Sequence, residues 1–319
     1  MREEVTFVDI KEAQEARIQA LAHFTETHEF QETQKFQGFK ARINPSLYDQ
    51  RLDWLCNGSH IDGVKWLLRD QTFTHWLEIS KRDSIWLWLQ GIPGAGKTFL
   101  AAAAIKHGKK HHRTIFVFAS HTNQNGLTAL AVIQSLIFQV VIDDKNLQTI
   151  LVESSERDLK SNTLYASDLL KSLVVSAGPT YIVIDGLDEI EESERQILLQ
   201  KLETIVKDCN ELKILICSRA EDDITKALRQ KAKSIRVDHK NLGSIQGYIN
   251  TRSQEWMDNC NFDLETESEV RSLLSPLSAH AKGRQREPRQ CSVTNKPRGV
   301  CGIGALALRL GRYVCTEKL

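Results

Sequence analysis

The chain has 319 residues, 41% hydrophobic and 26% charged, with a formal net charge of +1. That length supports a sizeable core in one or two domains, and the near-neutral balance argues against nucleic acid or an anionic membrane as the main partner. Seven cysteines without a CxxC pair, a charged N-terminus and no apolar run near the length of a membrane span predict a reduced, cytoplasmic protein.

Residues 8–43 read as a helix, with Ile10, Ala13, Ile18, Leu21 and Phe24 recurring three to five residues apart among Glu, Gln and Lys. Phe30 and Phe36 extend the pattern less regularly, and the NPS at 44–46 ends it. Such a helix packs on its own domain or docks on a protein partner or a second copy. Five of the six tryptophans follow within 35 residues: Trp54, Trp66, Trp76, Trp86 and Trp88. Few basic residues interleave with them, so they read as large side chains burying a join between helices and a strand, rather than as a base-stacking platform.

From residue 85 the pattern alternates between strand and helix. IWLWLQ (85–90), TIFVFAS (114–120), TYIVID (180–185), LKILICS (212–218) and SIRVD (234–238) read as strands. FLAAAAIKHG (99–108), LTALAVIQSLIFQVVI (127–142) and ESERQILLQKLETIVKD (192–208) read as helices. Strands separated by helices imply parallel pairing, and runs that do not alternate imply burial on both faces. The fold predicted is a three-layer α/β sandwich around a parallel sheet, preceded by an N-terminal helical segment.

Three stretches carry chemistry. GIPGAGKT, Gly91 to Thr98, fits G-x-x-x-x-G-K-[ST] between a strand and a helix, as a phosphate-binding loop requires. Its glycines let backbone N–H groups around 94–98 converge on phosphates, and the following helix adds its positive end. Lys97 is expected to reach the β- and γ-phosphates and Thr98 to take a Mg²⁺ position. The candidate nucleotide-binding set is Gly91, Pro93, Gly94, Ala95, Gly96, Lys97, Thr98, Phe99, Asp185 and Ser218. In YIVIDGLDEI, Asp185 ends its strand where a carboxylate would hold Mg²⁺ through water. Asp188 and Glu189 either polarise an attacking water or cap the helix that follows. In ILICSRAED, a strand between the loop strand and the Asp185 strand would point Arg219 and Ser218 at the terminal phosphate. His107, His111 and His112 tempt a metal reading, but no carboxylate or cysteine lies nearby in sequence, and a solvated basic helix end is favoured.

Taken in order, GIPGAGKT, YIVIDGLDE and ILICSRAED resemble the NACHT branch of the STAND NTPases, relatives of AAA+ proteins. The mark is a small residue after the strand-end acid and then two further acids, Asp185-Gly186-Leu187-Asp188-Glu189. The segment WLCNGSHIDGVKWLLRDQTFTHWL resembles the lead-in of fungal members with a nephrocystin-like N-terminal domain, although Gly63-Val64 stands where that family usually has Thr-Gly. NLGSIQGYIN resembles the start of their helical lid. The resemblance implies a five-stranded sheet in AAA+/STAND-like order, bound ATP or GTP with Mg²⁺, and switching between closed and open states. It also implies that Asp188, Glu189 and Arg219 serve catalysis.

The organisation expected is a helical segment over 1–46, the NTPase domain with its lead-in over 47–240, the start of a lid over 241–283 and a basic tail over 284–319. That tail holds eight Lys/Arg and two Glu and lacks an amphipathic period. It reads either as a disordered basic segment for acidic partners or as out-of-frame or intron-derived sequence after Gly283. Three functions compete: a slowly hydrolysing nucleotide switch cut short before its sensor modules, a truncated interaction-only protein docking through the first helix, and an enzyme acting on a small phosphorylated substrate. The switch is preferred, because no substrate pocket or acceptor-side residues are legible.

Overall fold

The computed structural model describes residues 7–57, 64–120 and 127–241, with the isolated positions 254 and 268. The lid segment past Asn241 and the basic tail therefore lie outside the described residues, except for those two positions.

Helix α1 (Phe7–Ile43) ends where Asn44 turns to φ 52° and its N–H donates to the Lys40 carbonyl at 2.8 Å. Its two halves behave differently. Phe36, Phe39 and Ile43 enter the core, and the two phenylalanine rings lie near Phe138. The first half keeps Ile18, Leu21 and Phe24 exposed, Phe24 at 68%. The apolar spacing that predicted the helix over 8–43 thus marks a face that the described residues do not cover.

Helix α2 (Asp49–Asn57) and helix α3 (Gln71–Leu77) form the lead-in. Asp70 caps α3 by accepting from Thr72 and Phe73, satisfying amides the helix itself leaves unpaired. Trp76 is buried between Phe73 and Tyr181, and its indole donates to the Ile85 carbonyl at 3.0 Å. Trp86 and Trp88 are buried too, whereas Trp54 stays exposed. Four of the five clustered tryptophans thus fill or flank the join between lead-in and sheet.

Five strands form one parallel sheet: β1 (Trp86–Gln90), β2 (Arg113–Phe118), β3 (Thr180–Asp185), β4 (Leu212–Ser218) and β5 (Ala232–Arg236), in the order β2-β3-β4-β1-β5. The strand ending in Ser218 separates the loop strand from the Asp185 strand, as expected. Helix α4 (Lys97–Gly108) covers one face of β2, β3 and β4. Gly108 sits there because a Cβ would lie 2.7 Å from the Thr114 hydroxyl. Helices α5 (Ala129–Val141), α8 (Thr163–Ala177) and α9 (Glu192–Asp208) pack together as the opposite layer. The β2 edge is closed by Gln139 of α5, whose side-chain amide accepts from the Phe116 N–H at 2.9 Å and donates to its carbonyl at 2.7 Å. That blunts an edge open to stray pairing.

Two more helices, α6 (Lys145–Glu153) and α7 (Glu156–Ser161), carry the second half of α1. Short helices α10 (Asp222–Leu228) and α11 (Val237–Lys240) follow β4 and β5. The last strand ends two residues earlier than its sequence predicts, and Val237 and Asp238 turn into α11 instead. No helix among the described residues is long and apolar enough to cross a membrane.

Candidate functional site

The three predicted stretches meet at the carboxyl end of the sheet. The loop from Gly91 leaves β1 beside the end of β4, where the Gly91 N–H donates to the Ser218 carbonyl at 3.3 Å. Gly94 and Gly96 take φ values of 77° and 84°, a region closed to most side chains. Gly96 is also the N-terminal flank of α4 and supplies no side-chain cap, so the first amides of that helix keep their donors for a ligand.

Lys97 folds back over its own loop, its ammonium donating to the Gly91 carbonyl at 2.7 Å and the Ile92 carbonyl at 3.0 Å. Burial pushes this ammonium below its ordinary value, against the pull of Asp188 and Asp185. The Thr98 hydroxyl favours the charged form of the Asp185 carboxylate, which is buried at the tip of β3. Burial raises the Asp185 carboxyl to about 6, and Thr98, Arg51 and Lys97 all pull it back down. A hydroxyl and a carboxylate are all-oxygen ligands of the kind a hard divalent cation takes.

The small residue after Asp185 has a local cause. Gly186 sits at φ 78°, and a Cβ there would lie 2.9 Å from the Ala119 carbonyl of the neighbouring chain segment. The turn then carries Asp188 and Glu189 across to the end of β4. Arg219 meets them there, its Nε 2.9 Å from Asp188 Oδ2 and its Nη2 4.0 Å from Glu189 Oε1. The Arg219 backbone N–H donates to the other Asp188 oxygen at 3.1 Å. Helix capping by Asp188 and Glu189 is therefore not what the geometry shows: α9 has Glu191 at its flank and no side-chain cap.

Ser218 departs from its expected place. Its hydroxyl accepts from the Trp88 indole at 2.8 Å and donates to the Arg219 carbonyl at 2.9 Å, and the residue is fully buried. With both roles of the hydroxyl taken, it positions the start of the Arg219 loop and has none left for a phosphate. Pro93 is exposed at the loop crest, and Phe99 packs its half-buried ring against the core. His107 and His111 lie at the far end of α4, their ring centroids 4.9 Å apart, away from the site.

Several site residues were not legible in the motifs. Asp238, freed from the strand, accepts from the Ile92 N–H at 2.7 Å. Asn241 donates to the Ala95 carbonyl at 2.7 Å and accepts from the Trp66 indole at 3.2 Å. Together they clasp the loop from the β5 side. Arg195 of α9 ties the two acid-bearing turns by donating to the Ile190 carbonyl at 3.2 Å and Asp223 Oδ1 at 2.8 Å, with Glu221 at 2.7 Å. The fourth, Arg51 of α2, lies over the Phe118 ring with Cζ 5.4 Å from its centroid.

Residues 63–219 match the family model described as the nephrocystin 3 N-terminal domain. The vegetative incompatibility protein HET-E-1 of Podospora anserina is 25% identical over 263 residues, which is 76% of this chain and 19% of that protein. The chain thus spans about a fifth of the length of that relative. Among solved structures, the Walker-type ATPase paby2304 of Pyrococcus abyssi aligns with a TM-score of 0.38 and 16% identity, covering 67% of this chain and 66% of that one. PCH-2 of C. elegans aligns with a TM-score of 0.31 and 16% identity, over 58% and 44%. In its matched segment, its glycine loop and its sheet order, this chain is similar to NACHT-like P-loop proteins of the nephrocystin type.

Proposed function

We propose that the chain binds ATP or GTP with Mg²⁺ at the Gly91–Thr98 loop, hydrolyses it slowly, and uses nucleotide state as a conformational switch. The observation that carries this reading is the glycine loop with Lys97 folded over it, set beside the buried Asp185 at the tip of β3. Backbone amides from Gly94 to Thr98 and the α4 terminus would hold the phosphates. Lys97 would exchange its carbonyl contacts for the β- and γ-phosphates. Thr98 and Asp185 would hold Mg²⁺, the latter through water; when bound, the ion neutralises charge on the phosphates. Because Asp188 gives both oxygens to Arg219, it serves in this reading to position that guanidinium, and Glu189 polarises the attacking water. Asp238 and Asn241 preset the loop from the other side.

A second reading, an interaction-only protein, draws on the exposed Ile18, Leu21, Phe24 and Phe30 of α1. A protein partner or a second copy of the chain would dock there. A cytoplasmic setting belongs to both readings, since Cys56, Cys209 and Cys217 are free thiols.

Titration of the full chain with ATP and GTP, with and without Mg²⁺, separates the readings. The switch requires Mg²⁺-dependent binding that Lys97→Ala weakens by about a hundredfold, the effect of losing a charge-assisted contact of about 2–3 kcal/mol. Absence of binding to the unmodified chain would leave the docking reading alone.

A further inference from the structure

Arg51 belongs to neither the glycine loop nor the acid-bearing turns, yet the fold delivers it to the same edge of the sheet. Leu52 and Leu55 are buried and pin α2 against α4. Just before the helix, the buried Tyr48 ring meets Phe118 edge-on at 6.3 Å. One residue into α2 beyond Gln50, the Arg51 guanidinium lies over that same Phe118 ring.

Phe118 is the last residue of β2 and the register partner of Asp185. Directly paired residues of neighbouring strands project from the same face of a sheet. Phe118 and Asp185 therefore share the face that α4 covers, and Arg51 sits at the metal-side corner of the site. The positive charge of Arg51 acts on the Asp185 carboxylate together with that of Lys97.

The two arginines at this edge are spent differently. Arg219 commits its guanidinium to Asp188 and Glu189. Arg51, half-buried, has no hydrogen bond or ion pair among the described residues. A guanidinium carries five N–H donors in a planar fork that matches two oxygens of a phosphate. Among the described residues, this fork on an aromatic face at the Asp185 corner has no acceptor, and a terminal phosphate would supply one.

We propose that Arg51 reads the terminal phosphate of the bound nucleotide: its guanidinium donates to γ-phosphate oxygens in the triphosphate state and loses those acceptors in the diphosphate state. The proposal rests on the nucleotide-binding reading above. It places the triphosphate signal on α2, a helix outside the phosphate loop. The link from α2 back to α1 is short and is fixed to α5 where the Ser135 hydroxyl donates to the Ser46 carbonyl at 2.6 Å. The difference between the two nucleotide states would thus be felt at the base of the helix whose first half is exposed.

The test is calorimetric titration of the full chain with Mg²⁺ and either a non-hydrolysable triphosphate or the matching diphosphate, using whichever base the unmodified chain prefers. Arg51→Gln is expected to lose about tenfold or more in triphosphate affinity and less than about twofold in diphosphate affinity. Arg51→Lys keeps the charge without the fork and should lose triphosphate affinity selectively but by less. Should Arg51→Gln fail to fold, as judged by thermal melting, Arg51→Lys carries the test alone. Equal losses for both nucleotides, or no loss for either, would overturn the proposal. Lys97→Ala is expected to weaken both nucleotides. An unmodified chain that binds neither would overturn the underlying reading instead.

Discussion

Arg219 and Asp188 are joined twice, through the guanidinium at 2.9 Å and through the Arg219 backbone N–H at 3.1 Å. The contact bridges the turn after β3 to the turn after β4, so the acid and the arginine act as one unit. The two partners are unequal in burial: the Asp188 side chain is 5% exposed and that of Arg219 is 43%.

That inequality predicts unequal costs. Asp188→Ala removes the acceptor of a backbone N–H as well as the charge partner, and should destabilise the chain by about 1–3 kcal/mol. Arg219→Ala removes a part-exposed cation whose pairing is screened by solvent, and should cost about 1 kcal/mol or less. Urea denaturation of the two variants checks this, and equal costs would contradict the double role of Asp188.

Asp185 predicts a pH dependence of the opposite sign to that of an ordinary salt-bridged acid. Its folded carboxyl is raised to about 6 from an ordinary value of 3.8, with burial the largest cause. As pH climbs through that window the unfolded chain ionises first, so the contribution to stability is greatest below 3.8 and is lost by about 6. The loss amounts to about 3 kcal/mol at most. Without nucleotide, Asp185→Asn should therefore melt higher than the unmodified chain at pH 8, and the gain should shrink toward pH 4. Melting scans at the two pH values measure it. A variant less stable at pH 8 would show that the pull of Thr98, Arg51 and Lys97 outweighs burial.

Gly96 and Asn241 predict a partial rescue. A Cβ at Gly96 would collide with Asn241 Nδ2, and the backbone there holds φ at 84°. Gly96→Ala thus suffers twice, from the contact and from the left-handed backbone, the latter costing about 1–2 kcal/mol. Asn241→Ala removes the contact but leaves the backbone as it is. Asn241→Ala has its own cost from the lost Ala95 and Trp66 bonds, so recovery is read as Gly96→Ala costing less in the Asn241→Ala background than in the unmodified chain, in a denaturant titration of all four proteins. Full recovery would mean the backbone term is absent, and no recovery would mean the contact is.

Much of the fold was legible because its signals are local. The strands over 180–185 and 212–218 and the helix over 192–208 stand where their apolar patterns place them. The interval 143–179 holds α6, α7 and α8, three helices beyond those predicted from the sequence. Their best signals are the capping residues Asp144, Ser155 and Asn162, each accepting from amides two or three residues on. The end of β5 was misplaced because Ile235 and Val237 alternate like strand residues, whereas tertiary contacts draw Asp238 onto the loop. The partner of Ser218 is equally distant, since nothing near it in sequence announces Trp88.

Taken alone, the sequence determined the glycine loop between a strand and a helix, the parallel α/β class and the acid at the strand tip. Each of these depends on residues within a few positions of one another, where backbone geometry and spacing decide the outcome. Tertiary structure decided which side chains converge from afar. Arg51 reaches the Asp185 corner across more than a hundred residues of chain, Asn241 holds Ala95 from 146 residues away, and Arg219 finds Asp188 from 31. Such partners are chosen by strand order and register, which no local pattern encodes.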